Sequence, residues 1–337
     1  MRNQGWDVRD VDGLPTAWIA SFECGNGGRT LGVNSEMDAL PDIGHACGHN
    51  LIGVAGVAIA CAVRAAMEQM SIPGKVVLLG TPAEEGGLGK LRMLEKGLYE
   101  GMDACVMVHP APGPIHSVSL SGSLAAVVYE VTYKGHPQNA LDAAVLAYNA
   151  IAVLRQQTKP THRIHGVFGG KWTGNIIPDN AALTWVIRAP TIAEARESGI
   201  RVRACFEAAA TATGCKVTIG DPQEVYELRQ NSALGEELRD VVRKRYGDID
   251  YEWGISSAST DFVNLPSLHP GYSIPTIPDG GNHTLGFTDA AKTKVTHDAT
   301  MVVSKALAAV GTRVLVDEEF AQKVKDAFEE DKKRRGT

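Results

Sequence analysis

Two short stretches of the chain gather the side chains that could hold a metal ion or move a proton. The first, GHACGHN at residues 44–50, sets Cys47 and His49 two apart. Such a pair reaches one ion only from an irregular or extended turn, and Gly44 and Gly48 permit that turn. A buried thiol beside a helix-capping imidazole is the plainer alternative, and this stretch alone leaves both open. The second, GTPAEEGGLGK at residues 80–90, follows the apolar run VVLL and sets Glu84 beside Glu85. The carboxyl end of a buried strand is where open α/β sheets carry their sites. Neighbouring carboxylates repel unless a cation or a proton lies between them. One as metal ligand and the other as general base removes the conflict. A solvated acidic loop is the alternative, weakened by the proline and glycines that hold the pair. The GGLGK segment is not a phosphate loop: the glycine spacing is wrong, and Leu91 stands where Ser or Thr is needed.

Two histidines and an aspartate extend this set. His109 ends the apolar run VMVH, one strand beyond the Glu pair. A lone histidine at a strand end is more often structural than a ligand, but this neighbourhood favours the ligand. His283 lies in PDGGNHTLGF, where glycines bring backbone close to a bound group. Asp38 of SEMDALP closes a strand near GHACGHN and could orient a ligand imidazole from behind. His116, His162, His165, His269 and His297 have no such setting and read as surface or structural. No G-x-S-x-G elbow, G-x-G-x-x-G turn, H-E-x-x-H helix or C-x-x-C pair is present, so other mechanisms find little support.

These residues need a scaffold, and the alternation of apolar runs supplies one. LPTAWIASFEC from Leu14 and RTLGVNSEMD read as strands, and GKVVLLG as a central strand with both faces covered. Leu51–Met70 contains Arg64 and Glu68 and is rich in Ala and Gly, which favours a buried helix capped by Asn50 over a membrane segment. A helix over 87–96 and a strand DACVMVHP follow, giving an α/β unit with a largely parallel sheet. After HPAPGP the order becomes strand–helix–strand–strand–helix–strand, a ferredoxin-like α+β insert. The expected division is 1–113 and 222–337 for one domain and 114–221 for the inserted one, consistent with a length of 337 residues. A terminal helix covers the last twenty residues. Net charge of -6 offers no basic footprint for nucleic acid or an anionic membrane surface. No apolar run is read as membrane-spanning, MRNQGWDVRD has no signal-peptide core, and six scattered cysteines suit a reducing compartment, so a cytoplasmic protein is expected.

The stretches EMDALPDIGHACGHN, VVLLGTPAEEGG, MVHPAP, TGNIIPD and IRAPT together resemble the M20 family of metallopeptidases and amidohydrolases, most closely its peptidase M20 domain-containing protein 2 (aminoacylase-1-like) branch. Their order and spacing cover nearly the whole chain. The resemblance implies a catalytic α/β domain with an inserted lid that mediates homodimerisation. It implies two divalent metal ions per subunit, zinc before manganese or cobalt, held by Cys47, His49, Glu85, His109 and His283. It also implies Glu84 as general base, Asp38 as the partner behind a ligand, and Asn175 and Arg188 on the substrate carboxylate. The expected reaction is hydrolysis of dipeptides or N-acyl amino acids. Two departures stand out. The chain opens where the family has already completed an N-terminal helix and part of a strand. Only GHPQNALDA follows VTYKG, so His136 is the local candidate for the lid histidine that stabilises the oxyanion. A catalytically impaired binding or scaffold protein is therefore the second expectation.

Overall fold

The computed structural model describes residues 1–253, 259–260 and 265–335. The described residues form two compact units, one of Met1–Gly122 with residues 229–253 and 265–335, the other of Ser123–Leu228 with residues 259–260.

The first unit begins with β1 (Asp7–Val11), β2 (Leu14–Cys24) and β3 (Arg29–Glu36), then α1 (His49–Met70) and β4 (Gly74–Thr81). Short helices α2 (Glu84–Gly87) and α3 (Gly89–Glu95) lead to β5 (Ala104–Val106), β6 (His109–Pro112) and β7 (Ser117–Ser119). The second unit contributes β8 (Ala125–Lys134), α4 (Ala140–Leu154), β9 (Arg163–Gly169), β10 (Asn180–Ala189), α5 (Ile192–Thr213), β11 (Lys216–Ile219) and β12 (Gln223–Val225). The first then resumes with α6 (Ser232–Arg245), β13 (Asp248–Asp250), β14 (Ser267–Leu268), β15 (Gly271–Ile274), α7 (Leu285–Ala291), α8 (Lys294–Val316) and α9 (Glu318–Arg335).

A six-stranded sheet ordered β1-β2-β4-β3-β5-β14 puts VVLL near its middle, as its continuous apolarity predicts. The sheet is mixed rather than largely parallel. β3 pairs parallel with β4 and β5, and β5 with β14, but β2 runs antiparallel to both β1 and β4. The expected single strand DACVMVHP divides: β5 stays in this sheet, whereas β6 joins a second, four-stranded sheet ordered β13-β7-β15-β6. That second sheet corrects the boundary at 114, because β7 pairs with β13 and β15 and belongs to the first unit. The boundary at 221 moves too, because β12 pairs with β8 and Glu227 accepts the Ile192 amide.

α1 and α8 are long and apolar enough to cross a membrane by length and composition, a property the sequence patterning does not suggest for α8. Both contribute to the core: Ile59, Val63 and Met67 of α1 and Leu307, Val310 and Val314 of α8 pack with Leu31, Val33 and Leu78 of the sheet. α1 starts at His49 with Gly48 as its cap, so Asn50 is not the cap; it sits in the first turn and donates to the Ala291 carbonyl. α9 is a terminal helix as expected, docked through Phe320 and Val324. Residues 336–337 lie outside the described residues.

The second unit has the sheet order β11-β8-β10-β9, all antiparallel, with β12 also on β8. With α4 and α5 packed against it, this is the ferredoxin-like order that the strand–helix alternation implies. Thr191 accepts the Glu194 amide and starts α5, and Asn139 accepts two amides at the start of α4.

Candidate metal centre

The site grows from three strand ends in the first unit. β3 ends at Glu36, so Asp38 lies just past the sheet, and the chain turns through residues 40–48 into α1. Gly48 makes that turn possible. Its φ is +80°, and a Cβ there would lie 2.5 Å from Cγ of Pro110. Cys47 is buried just ahead of this turn, and His49 enters at the first residue of the helix. β4 delivers Glu84 and Glu85 through a left-handed Ala83 (φ 51°). His109 starts β6, and the loop carrying His283 is tied down by its amide, which donates to the Ala46 carbonyl at 2.8 Å.

The donor atoms converge at spacings suited to sharing an ion. His49 Nε2 lies 3.8 Å from Glu85 Oε1 and 3.9 Å from Glu84 Oε2, and His283 Nε2 lies 3.7 Å from Glu85 Oε1. Cys47 Sγ is 3.5 Å from His109 Nε2. Among the described residues three triplets each fall within 4.8 Å: Cys47, His49 and His109; Cys47, Glu85 and His283; His49, Glu84 and Glu85. They share members, as donors around two neighbouring ions would. Both His49 Nε2 and Glu85 Oε1 are buried without a hydrogen-bond partner. Buried polar atoms of that kind call for an explanation, and an ion is one. The donor set fits divalent metal: thiolate, imidazoles and carboxylates together suit a zinc-like ion.

The atoms behind the donors fix their direction. Asp38 Oδ1 accepts from His49 Nδ1 at 3.0 Å, and its Oδ2 accepts the Glu85 amide at 2.9 Å. One carboxylate thus orients the imidazole and pins the start of α2 beside it. His109 Nδ1 donates to the Pro110 carbonyl at 2.8 Å, leaving Nε2 toward the thiol. Electrostatics follow the packing. Burial raises the Cys47 thiol to about 11 against the opposing pull of His49. Burial would lower His49, but its bond to Asp38 and the neighbouring Cys47 and Glu36 outweigh it and raise the imidazole to about 11. Burial, then the neighbouring His49 charge, lowers His109 to about 4. Burial opposes ionisation of Asp38 as well, yet the His49 and Glu85 bonds hold its carboxyl below the usual range.

All five expected ligands, with Glu84 and Asp38, thus come together. His136, Asn175 and Arg188 lie in the second unit. His136 is exposed in the turn between β8 and α4, before a cis Pro137, and Asn175 is exposed between β9 and β10. Arg188 is half-buried on β10, opposite Ala126 of β8 and Arg163 of β9. Burial, then the Arg188 charge, lowers His165 on the adjoining strand. Several residues around the centre carry no sequence signal of their own. Asn282 donates to the Cys47 and Pro110 carbonyls at 3.4 and 3.2 Å. His269, expected at the surface or in a structural role, is wholly buried with its ring 6.0 Å from that of His109. Glu36 and Lys90 form a buried ion pair, and only the position of Glu36 two residues before Asp38 hints at it.

The family described as Peptidase family M20/M25/M40 matches residues 32–285. The chain is a member of Peptidase family M20/M25/M40. As an M20 member it is a hydrolase of the peptidase and amidohydrolase type. It is 38% identical to an Xaa-Arg dipeptidase of Mus musculus and 36% identical to that of Homo sapiens, each match spanning 96% of this chain and 80% of the relative. It is 28% identical to an N-acetyl-L-cysteine deacetylase of Bacillus subtilis over 56% of this chain and 52% of the relative. Among solved structures, a dinuclear metal-binding peptidase of the M20 family from Bacillus subtilis superposes with a TM-score of 0.69 at 19% identity, covering 94% of this chain and 89% of that one. That likeness establishes the two-domain M20 fold.

Proposed function

We propose that this M20 member is a metal-dependent amide hydrolase acting on dipeptides or N-acyl amino acids, and that within the family it stands with the Xaa-Arg dipeptidases. The observation that carries the reading is the set of interlocked donors around His49 and Glu85, with a second carboxylate, Glu84, beside them. Identities of 36–38% to dipeptidases favour turnover over the scaffold alternative.

Cys47, His49, Glu85, His109 and His283 would hold two divalent ions, zinc before manganese or cobalt. Bound metal would polarise the amide carbonyl and acidify an attacking water. Glu84 belongs to one donor triplet where Glu85 belongs to two, which leaves Glu84 the better placed to move a proton. Its carboxylate takes a proton from water as the oxygen bonds to the amide carbon. It returns that proton to the nitrogen as the C–N bond breaks. Asp38 keeps the His49 ring and the Glu85 backbone in place throughout. In the second unit, Arg188 offers a planar fork to the substrate's free carboxylate, with Asn175 as a second donor. His136 is assigned to the oxyanion.

A homodimer through the second unit and a cytoplasmic location complete the reading. Exposed Val145, Leu146 and Tyr148 of α4 and Phe168 of edge strand β9 support the dimer, since such an apolar surface favours a partner. Metal content and hydrolysis of a dipeptide panel, including Xaa-Arg dipeptides, test the function on one preparation. Stoichiometric metal with cleavage is expected. Metal-free protein that cleaves as fast as the loaded form would overturn it.

A further inference from the structure

Lys90 is fully buried, and its Nζ lies 2.5 Å from Oε2 of Glu36, itself 1% exposed. Burying both charges carries a desolvation penalty that their attraction often fails to recover, so stability alone is a weak reason for such a pair. Its location suggests a better one. Glu36 ends β3, two residues before Asp38. Oε2 of Glu36 is taken by Lys90, but Oε1 is buried with no hydrogen-bond partner and lies 3.8 Å from His49 Nε2. His49 Nε2 is likewise without a hydrogen-bond partner, and Asp38 holds the other ring nitrogen. This is the same separation that His49 Nε2 keeps from Glu85 Oε1. Zinc-type ions bind imidazole nitrogen and carboxylate oxygen at roughly 2.0–2.2 Å, so two donors of one ion stand at about such spacings. Glu36 lies outside the three donor triplets, yet it adjoins them through His49.

We propose that Glu36 is a further donor of the metal centre, with Lys90 as the positioning residue that turns its Oε1 toward the ion held by His49. The proposal rests on the metal-centre reading given above. Lys90 does for Glu36 what Asp38 does for His49: it grips one polar atom so that the other is presented in a fixed direction. Its charge also fits the site. Its positive charge faces a carboxylate at the edge of a centre rich in acidic groups.

The test uses Co2+ as probe, with the full chain and the double variant Glu36→Gln/Lys90→Met, which removes both buried charges together. Circular dichroism checks the fold, and titration against a competing chelator with visible absorption reads stoichiometry, affinity and ligand field. The expected result is two Co2+ per wild-type chain. In the folded double variant, one of them should bind at least about 10-fold more weakly with an altered spectrum. A folded variant with wild-type affinity and spectrum would overturn the proposal. A crystal structure of the Co2+-loaded wild type decides independently of how the variant folds. Oε1 within about 2.5 Å of an ion supports the proposal, and a gap beyond about 3 Å at both ions refutes it. Wild type that takes up no Co2+ removes this inference and the metal-dependent function alike. Co2+ bound by Glu36 in a protein that cleaves no amide leaves the inference standing and removes only the function.

Discussion

At the scale of single residues, the two neighbouring glutamates carry the sharpest expectation. Glu84→Gln should keep its metal yet lose turnover by about 10²–10⁴-fold, the usual cost of removing a general base. Glu85→Gln should lose metal as well. Elemental analysis and initial rates on the two variants check this, and wild-type turnover in Glu84→Gln would reject the assignment. A pH expectation follows from His109, whose imidazole is lowered to about 4 by burial and the His49 charge. Unfolded histidine titrates near 6.5. Between those values the unfolded chain binds the extra proton, so stability rises with pH across this window and is lost as the solution is acidified through it. For metal-free protein the contribution is on the order of 3 kcal/mol. Urea unfolding of wild type and His109→Asn at pH 7 and pH 5 measures it, with the wild type losing more on acidification. The positions of Cys47, His49, Glu84, Glu85 and Asp38 are legible in the sequence because each sits in a short Gly- or Pro-bounded motif. Glu36 and Lys90 are not. Their pairing spans 54 residues of chain, and nothing local marks a lysine after GGLG as buried.

At the scale of elements, the turn into α1 holds the centre together through one glycine. Gly48 needs a positive φ, and its position against Pro110 and Phe287 leaves no room for a methyl group. Gly48→Ala should destabilise the fold by about 1–3 kcal/mol and weaken metal binding with it, read by thermal unfolding and metal titration. Sequence alone favours Asn50 as the cap of α1, since an asparagine before an apolar helix is a good one. The backbone instead lets Gly48 cap the helix, so that His49 projects from its first turn. β10 makes a second expectation. Arg188→Lys keeps the charge and loses the fork, so it should slow cleavage of free-acid dipeptides while sparing the corresponding amides. Equal loss on both would assign Arg188 to packing. The alternation of apolar runs is enough to recover the β8–β11 order of the second unit strand by strand. The split between β5 and β6 is hidden, because an unbroken apolar run does not reveal that its two ends pair in different sheets.

At the scale of the whole molecule, the proposed dimer rests on exposed apolar side chains of α4 and β9. Tyr148 and Phe168 stack at 5.4 Å on this surface, and Val145, one turn back along α4, is 43% exposed. A charge there, as in Val145→Glu, should convert a dimer to a monomer in sedimentation while leaving the circular dichroism spectrum intact. An unchanged sedimentation coefficient would exclude this face as the interface. The domain division is legible from the change in strand and helix order. Its limits are not, because β7 and β12 are short and their partners are distant in sequence. The order of the donors along the chain has a consequence for biosynthesis. Cys47, His49, Glu84, Glu85 and His109 all precede the second unit, whereas His283 follows it. On the ribosome, the early donors emerge first, and the contiguous Ser123–Leu228 segment can fold while its host is still incomplete. Only after His283 has left the exit tunnel can the loop holding it close onto Ala46. The centre is therefore finished late in translation, and a ribosome stalled before residue 283 would carry a chain with most of its ligands and no complete site.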